Sequence, residues 1–385
     1  MESPNTFLKH HSFIMLLFLL LLQLSSQVYA SRTKASMNVI DSCWRRDPTW
    51  IHNRMKLATC SVGFAGKMTG NSGQKIQEYV VTTPADDPIN PQPGSLRYGA
   101  ALGHRWITFQ RDMVINLRMP LLVSSFTTID GRGVNVQIAH GSGILLRDVS
   151  NVVVHGLRIH HCVTSNPGPV LGPGMKIVQL GKSDGDAIAM SGSSKIWIDH
   201  NTLYACQDGL IDVTRGSTAI TISNNWLRNH VKVMLLGHDD RFSEDKSMRV
   251  TVAFNRFGPK CYQRMPRVRH GYAHVVNNYY QNWVLYAIGG SAEPTIRSEG
   301  NLFIAPRSDN KEVTRRMNSG ANMNPGNWVS VNDVLSNGAY FTQSGKGAAL
   351  PGYKPEEMFP AVGGHAVSSI TRNAGALRCL PGYPC

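Results

Sequence analysis

IWIDHNTL (Ile196 to Leu203), ITISNNWL (Ile220 to Leu227), VTVAFNRF (Val250 to Phe257), AHVVNNYY (Ala273 to Tyr280) and IRSEGNLF (Ile296 to Phe303) are near-copies of one template. It runs apolar, any, apolar, two more residues, then Asn, any residue and an apolar one. The asparagines Asn201, Asn225, Asn255, Asn278 and Asn301 recur at steps of 24, 30, 23 and 23 residues. An earlier segment, VVVHGLRI (Val152 to Ile159), fits with Leu157 in the Asn slot. A β-branched, period-2 segment followed by a turn-forming Asn, repeated at this step, marks a solenoid whose coils each give short strands to parallel sheets. Stacked asparagines can bond from coil to coil, which supplies partners to an otherwise costly buried amide. Five copies in near-constant register argue against a sandwich or closed barrel. The expected fold is all-β, a parallel β-helix.

Outward from the repeat, residues 31–95 are mixed and become Pro-rich (Pro84, Pro88, Pro91, Pro93). They are expected to form an N-terminal cap, with a helix near Trp50 to Ala58. The β-helix is expected over 96–305, and the Gly-, Asn- and Ser-rich remainder, 306–385, as a C-terminal wrap. Both ends of a solenoid need covers because an open sheet edge invites aggregation. No linker divides the chain, so 31–385 reads as one domain, expected to be a monomer.

Residues 1–30 read as a secretory signal, with Lys9, His10 and His11 ahead of an apolar run from Phe13 to Leu22 and a cleavage pattern at Val28-Tyr29-Ala30. That run is short for a membrane span. The mature protein is expected outside the cell, in the wall space, without stable membrane association. The formal net charge is +14, and the signal holds one Glu and one Lys, so the excess stays with the mature chain. Such a surface seeks polyanions. Nucleic acid is a poor candidate for an exported chain without a recognition motif, whereas an acidic extracellular polysaccharide fits. Seven cysteines in an oxidising compartment imply disulfides with at least one thiol left over. Cys43 with Cys60 and Cys379 with Cys385 lie near the termini, where a covalent tie would clamp chain ends; spacing does not fix the pairing. No N-x-[ST] sequon occurs.

Counting from the ladder locates the chemistry, because equal offsets in successive coils lie one strand spacing apart, about 4.8 Å. Asp208 stands seven residues after Asn201, and Lys232 seven after Asn225; Asp184 precedes Asp208 by 24. These three are expected to stack on one face, flanked by Asp186 and Asp212. Asp208 and Asp212 can approach only if the DGLID segment bends, which Gly209 permits. Crowded carboxylates favour a hard cation with oxygen ligands, and calcium is the natural candidate. Taken singly, DGD and DGLID are ordinary solvated turns; stacking in register favours the site. RMPRVRHG adds Arg264, Arg267, Arg269 and His270, and Arg264 falls nine residues after Asn255, so a basic group neighbours the acidic column.

These segments resemble the plant pectate lyases of polysaccharide lyase family 1, especially their conifer pollen-allergen branch. The resemblance covers nearly the whole mature chain. It rests on IDSCWRRDPTWIHNRMKLATCSVGFAGKMTG, DGRGVNVQI, DGDAI, IWIDHNTL, DGLIDVTRGSTAITISNNW, KVMLLGHDD, QRMPRVRHG and LYAIGGSAEPTI, among others. It implies a right-handed parallel β-helix and calcium held by Asp184 and/or Asp186, Asp208 and Asp212. It further implies Arg264 as the catalytic base at the head of R-x-P-x-x-R, with Lys232 and Arg269 holding substrate carboxylate. Asp199 and His200 read as structural. Relatives often carry CWRC, where Cys43 is here followed by Arg46, and some carry Cys in place of Val268.

The implied reaction is β-elimination on de-esterified galacturonan, giving a 4,5-unsaturated end. A guanidinium ordinarily stays protonated, so the resemblance supports Arg264 as base where spacing alone does not. Pectin lyase action on methylated polymer would not need the acidic column. A glycoside hydrolase would use carboxylates with water, against which R-x-P-x-x-R tells. A weak or inactive wall-binding protein with the same fold is the remaining alternative.

Overall fold

A computed structural model of the chain describes residues 37–317 and 326–385; the expected signal at 1–30 lies outside them. Each template copy is a strand ending in a tight turn. The residue ahead of each ladder Asn takes a left-handed φ: 54° at His200, 53° at Asn224, 60° at Phe254, 53° at Asn277 and 57° at Gly300. That conformation costs a residue with a side chain about 1 kcal/mol, and here it turns the chain from one sheet into the next. In one coil the chain runs through Ser194–Asp199, Thr202–Tyr204 and Gly209–Thr214 before Thr218–Ser223 begins the next.

Three parallel sheets result. The first holds ten strands, from Gln77–Val81 to Asn327–Val331; the second runs from Leu121–Leu122 to Thr314–Arg316, and the third from Met113–Ile115 to Val334–Ser336. Register is held from coil to coil, as Ile196, Ile220, Val250, Ala273, Ile296 and Trp328 pair in succession. Alternate side chains (Ile196, Ile198, Leu203, Ile211, Val213, Ile220) turn inward and are fully buried. The fold is a parallel β-helix. Its strands extend past both bounds read from the sequence, 96 and 305. WVSVNDVL (Trp328 to Leu335) is a further copy, with Asp333 in the Asn slot after a step of 32 residues. An antiparallel hairpin, Gly168–Gly172 with Lys176–Leu180, interrupts the series.

The ladder bonds as expected. Asn201, Asn225, Asn255 and Asn278 each donate Nδ2 to the Oδ1 of the next, at 3.1, 3.1, 2.9 and 3.1 Å. Asn301 donates to Asp333 Oδ1 at 3.1 Å.

The N-terminal segment forms a short α-helix at Val39–Trp44, capped by Asn38, and a 3-10 helix at Arg54–Thr59 that overlaps the second half of the helical stretch expected at Trp50 to Ala58. It lies along the outer face of the first sheet. Asn38 Nδ2 donates to Asn224 Oδ1 (2.8 Å), Asp41 Oδ1 meets His200 Nε2 (2.7 Å), and Ala65 N donates to Thr221 Oγ1 (3.1 Å). Asp199 accepts from Ser223 Oγ (2.6 Å) and bonds His155 Nδ1 (2.9 Å), so Asp199 and His200 are structural. Disulfides join Cys43–Cys60, Cys162–Cys206 and Cys379–Cys385, and Cys261 is a buried free thiol. Among the described residues no helix is long and apolar enough to cross a membrane.

Candidate active site

The second sheet carries the charged residues, on the neighbouring strands Ile188–Ser191, Gly209–Thr214 and His230–Leu236, then Cys261–Gln263 and Arg267–Val268. Asp184 and Asp186 lead into the first of these strands. Asp208 immediately precedes the second, and Asp212 lies within it. Gly209 N donates to Asp186 Oδ1 at 2.6 Å. A Cβ on Gly209 would stand 2.6 Å from Asp212 Oδ1 and 2.9 Å from Asp186 Oδ1. Glycine is required there because any side chain would fill the gap on which both carboxylates converge.

That convergence is electrostatically unfavourable. Burial, with the Asp208 and Asp184 carboxylates beside it, pushes Asp186 up to about 6 against the Gly209 N–H. Burial and the charges of Asp186 and Asp208 raise Asp212 well above the usual carboxylate range, while Arg264 and Arg269 pull the other way. Lys232 Nζ pairs with Asp208 Oδ1.

The arginines form the opposite side of the site. Arg269 donates Nη1 to Gly237 O (2.7 Å) and holds Nε 3.4 Å from Asp240 Oδ1. Arg264 sits at φ 65° between two strands of the sheet, its carbonyl accepting from Met234 N (2.7 Å). Its Nε is buried without a hydrogen-bond partner. The phenol of Tyr286 is buried beside it: burial raises Tyr286, and the charge of Arg264 and a hydrogen bond to it pull back. Burial and the charges of Arg269 and Arg264 lower Arg267, so positive charge is crowded along this edge. A cleft of about 460 Å³ is lined by Asp184, Asp186, Asp208, Asp212 and Arg269, with Arg147, Lys182, Arg215 and His238 also on its walls. Lys232 and Arg264 lie outside that lining.

The family model for pectate lyase matches residues 116–378. The chain belongs to the pectate lyase family. It is 52% identical over 350 residues to "Putative pectate lyase 2" of Arabidopsis thaliana, covering 90% of this chain and 91% of that one. It is 51% identical over 356 residues to "Pectate lyase 1" of Chamaecyparis obtusa, covering 91% and 94%. The crystal structure of jun a 1, the major allergen from cedar pollen, superposes with a TM-score of 0.84 at 50% identity, covering 88% of this chain and 99% of that one.

For a pectate lyase the acidic column raises the question of a cation. Among the described residues no three His, Cys, Asp or Glu side chains gather around one ion position. Asp186 and Asp212 nevertheless supply two convergent carboxylates that repel each other, a donor set suited to a hard divalent ion. Asp208 is turned to Lys232, and Asp184 is exposed at the cleft. The residues present therefore fit a hard divalent cation only as a partial, two-carboxylate site.

Register departs from the counted offsets by one residue. Gly209, rather than Asp208, pairs with Lys232, which pairs with Gln263 in turn. Counting missed Tyr286, although it lies in the coil after Arg264, 22 residues on, where Arg267 pairs with Gly289. Its signal was the ladder offset, eight after Asn278 against nine for Arg264. Counting also missed Asp240, which holds Arg269 and has no coil-register signal.

Proposed function

We propose that this pectate lyase cleaves de-esterified (1,4)-α-D-galacturonan by calcium-dependent β-elimination, outside the cell. The observation that carries this reading is the convergence of Asp186 and Asp212 over Gly209 beside the cationic edge of Arg264, Arg267 and Arg269. One sheet thus offers a carboxylate pair and, next to it, cations for uronate carboxylates. A bound calcium ion supplies positive charge near the uronate carboxylate, favouring the anion that develops at C5.

The chain's own residues do the rest. Asp186 and Asp212, with Asp184 and the Asp208 carboxylate beside Lys232, would hold a cation, while Lys232 and Arg269 orient uronate carboxylates through charge-assisted bonds. Arg264, as the neutral guanidine, takes the proton from C5. The C5–H electron pair forms the C4–C5 double bond, the C4–O bond breaks, and the departing glycosidic oxygen acquires a proton from solvent. The pocket cations stabilise the charge as it builds.

The test is to incubate the protein with polygalacturonate at mildly alkaline pH and follow the ultraviolet absorbance of the unsaturated product, with calcium and with chelator. A calcium-dependent rise is expected. Binding to polygalacturonate without any rise would instead identify a non-catalytic wall-binding protein.

A further inference from the structure

The third sheet presents a second charged surface, away from the cleft. Arg158, Thr202, Trp226, Arg256 and Tyr279 follow one another in register along one outward column, and Tyr204 pairs with Arg228 in the adjacent one. None of these residues is acidic. The guanidinium of Arg228 lies over Tyr204 at 4.2 Å and Trp226 at 4.7 Å, and that of Arg256 over Tyr279 at 4.2 Å. Arg158 donates only to neutral oxygens, Asn135 Oδ1 (2.7 Å) and Ala376 O (3.4 Å). Among the described residues no ion pair joins Arg158, Arg228 or Arg256 to a carboxylate. Arg228 Nε is in addition buried without a hydrogen-bond partner.

The outward Arg297 of the first sheet, by contrast, is neutralised. It meets Glu299 Oε2 at 2.7 Å and Ala348 O at 2.7 Å. The third sheet instead holds its cations in place with aromatic faces and leaves their charge uncompensated. Stacking itself uses none of a guanidinium's in-plane N–H donors.

We propose that this face is a second, non-catalytic binding site for a polyuronate chain, with Arg228 and Arg256 taking uronate carboxylates. The C-terminal segment bounds it on one side, where Gly375 packs against Thr202 and Trp226 so closely that a Cβ would stand 2.7 Å and 3.0 Å from them. The choice of polyuronate rests on the proposed substrate. Such a site keeps the enzyme on the polymer while the cleft acts on another stretch of it.

The experiment compares the full-length protein with the double variant Arg228→Gln/Arg256→Gln. A control, Arg111→Gln/Arg307→Gln, removes the same charge from exposed positions. Retention on insoluble polygalacturonate is measured in chelator, and turnover on short soluble oligogalacturonate with calcium. The site predicts retention weakened about tenfold, equivalent to about 1.4 kcal/mol, in the double variant alone, with turnover and melting temperature unchanged. Equal retention in all three proteins, or equal loss in the control, overturns it. If none of the proteins turns substrate over but retention still separates the double variant, the lyase reading falls and this site stands.

Discussion

The asparagine ladder and the aspartate column obey the same stacking rule on different sides of one solenoid, yet one is saturated and the other is not. In the ladder each amide donates to the coil beyond and to a backbone carbonyl, as Asn225 does to Asn255 and Ile198 O. Its oxygen accepts twice from Asn201. In the column, like charges converge over Gly209 and push Asp186 and Asp212 up, while Arg264 beside them keeps an unpartnered Nε. A repeating fold provides stacking everywhere; satisfied stacks hold it together, and unsatisfied ones are where a ligand has something to gain.

The contrast breaks most decisively at Arg264. Arg264→Ala is expected to lower kcat by about 10²–10⁴ with the fold retained, the loss of its bond to the Tyr286 phenol shifting the melting transition far less than turnover. Steady-state kinetics beside a thermal melt checks this; near-normal turnover would move the base elsewhere. The reverse substitution is Asn225→Ala. It leaves donors of Asn201 and the Oδ1 of Asn255 short of partners, and should cost about 3 kcal/mol of stability with catalysis by the surviving folded fraction intact. Urea unfolding of the two variants side by side separates the roles.

Calcium removal tests the column itself. Asp186 has a folded pKa of about 6 against an ordinary 3.8. Between those values the folded metal-free protein therefore binds more protons than the unfolded one, so its stability falls as pH rises through that window. A cation competes with those protons. Calcium at about a hundred times its dissociation constant should add about 2.7 kcal/mol above the window and nothing below it. Melting temperatures with calcium and with chelator across pH give the answer; a calcium effect that persists below 3.8 would remove Asp186 from the cation site.

Much of this was legible because the ladder sets a ruler. The copies from Ile196 to Phe303 gave the fold, and offsets from their asparagines brought Asp208 within a residue of the partner that register assigns to Lys232. The ruler failed where something lengthens a coil or changes its marker. The hairpin at Gly168–Leu180 stretches the step between Cys162 and Cys206 to 44 residues, which hid that disulfide. The coil at Trp328 was missed because Asp333 stands for Asn. Asp240 acts through side-chain reach, which no backbone periodicity encodes, and the offset of Tyr286 went unread because a tyrosine beside the arginine was not sought.

Asp333 also gives the finest test of the comparison, since it places a carboxylate at the end of the saturated stack. It accepts from Asn301 N (2.7 Å), Asn301 Nδ2 (3.1 Å), Ser298 Oγ (2.6 Å) and Ser330 Oγ (2.7 Å), and burial still raises its pKa. Asp333→Asn keeps the acceptor facing Asn301 and turns an amide toward two hydroxyls that can rotate to accept from it. The charge is then no longer desolvated, so the variant should match the wild type to within about 1 kcal/mol at neutral pH. Because a raised folded pKa makes the wild-type carboxyl less favourable as pH rises above 3.8, the variant should gain relative to the wild type on passing from acid to neutral pH. Parallel unfolding curves across that range decide it. A loss of several kcal/mol at neutral pH would mean that the ladder ends on a required charge, and saturation by hydrogen bonds alone would no longer distinguish it from the aspartate column.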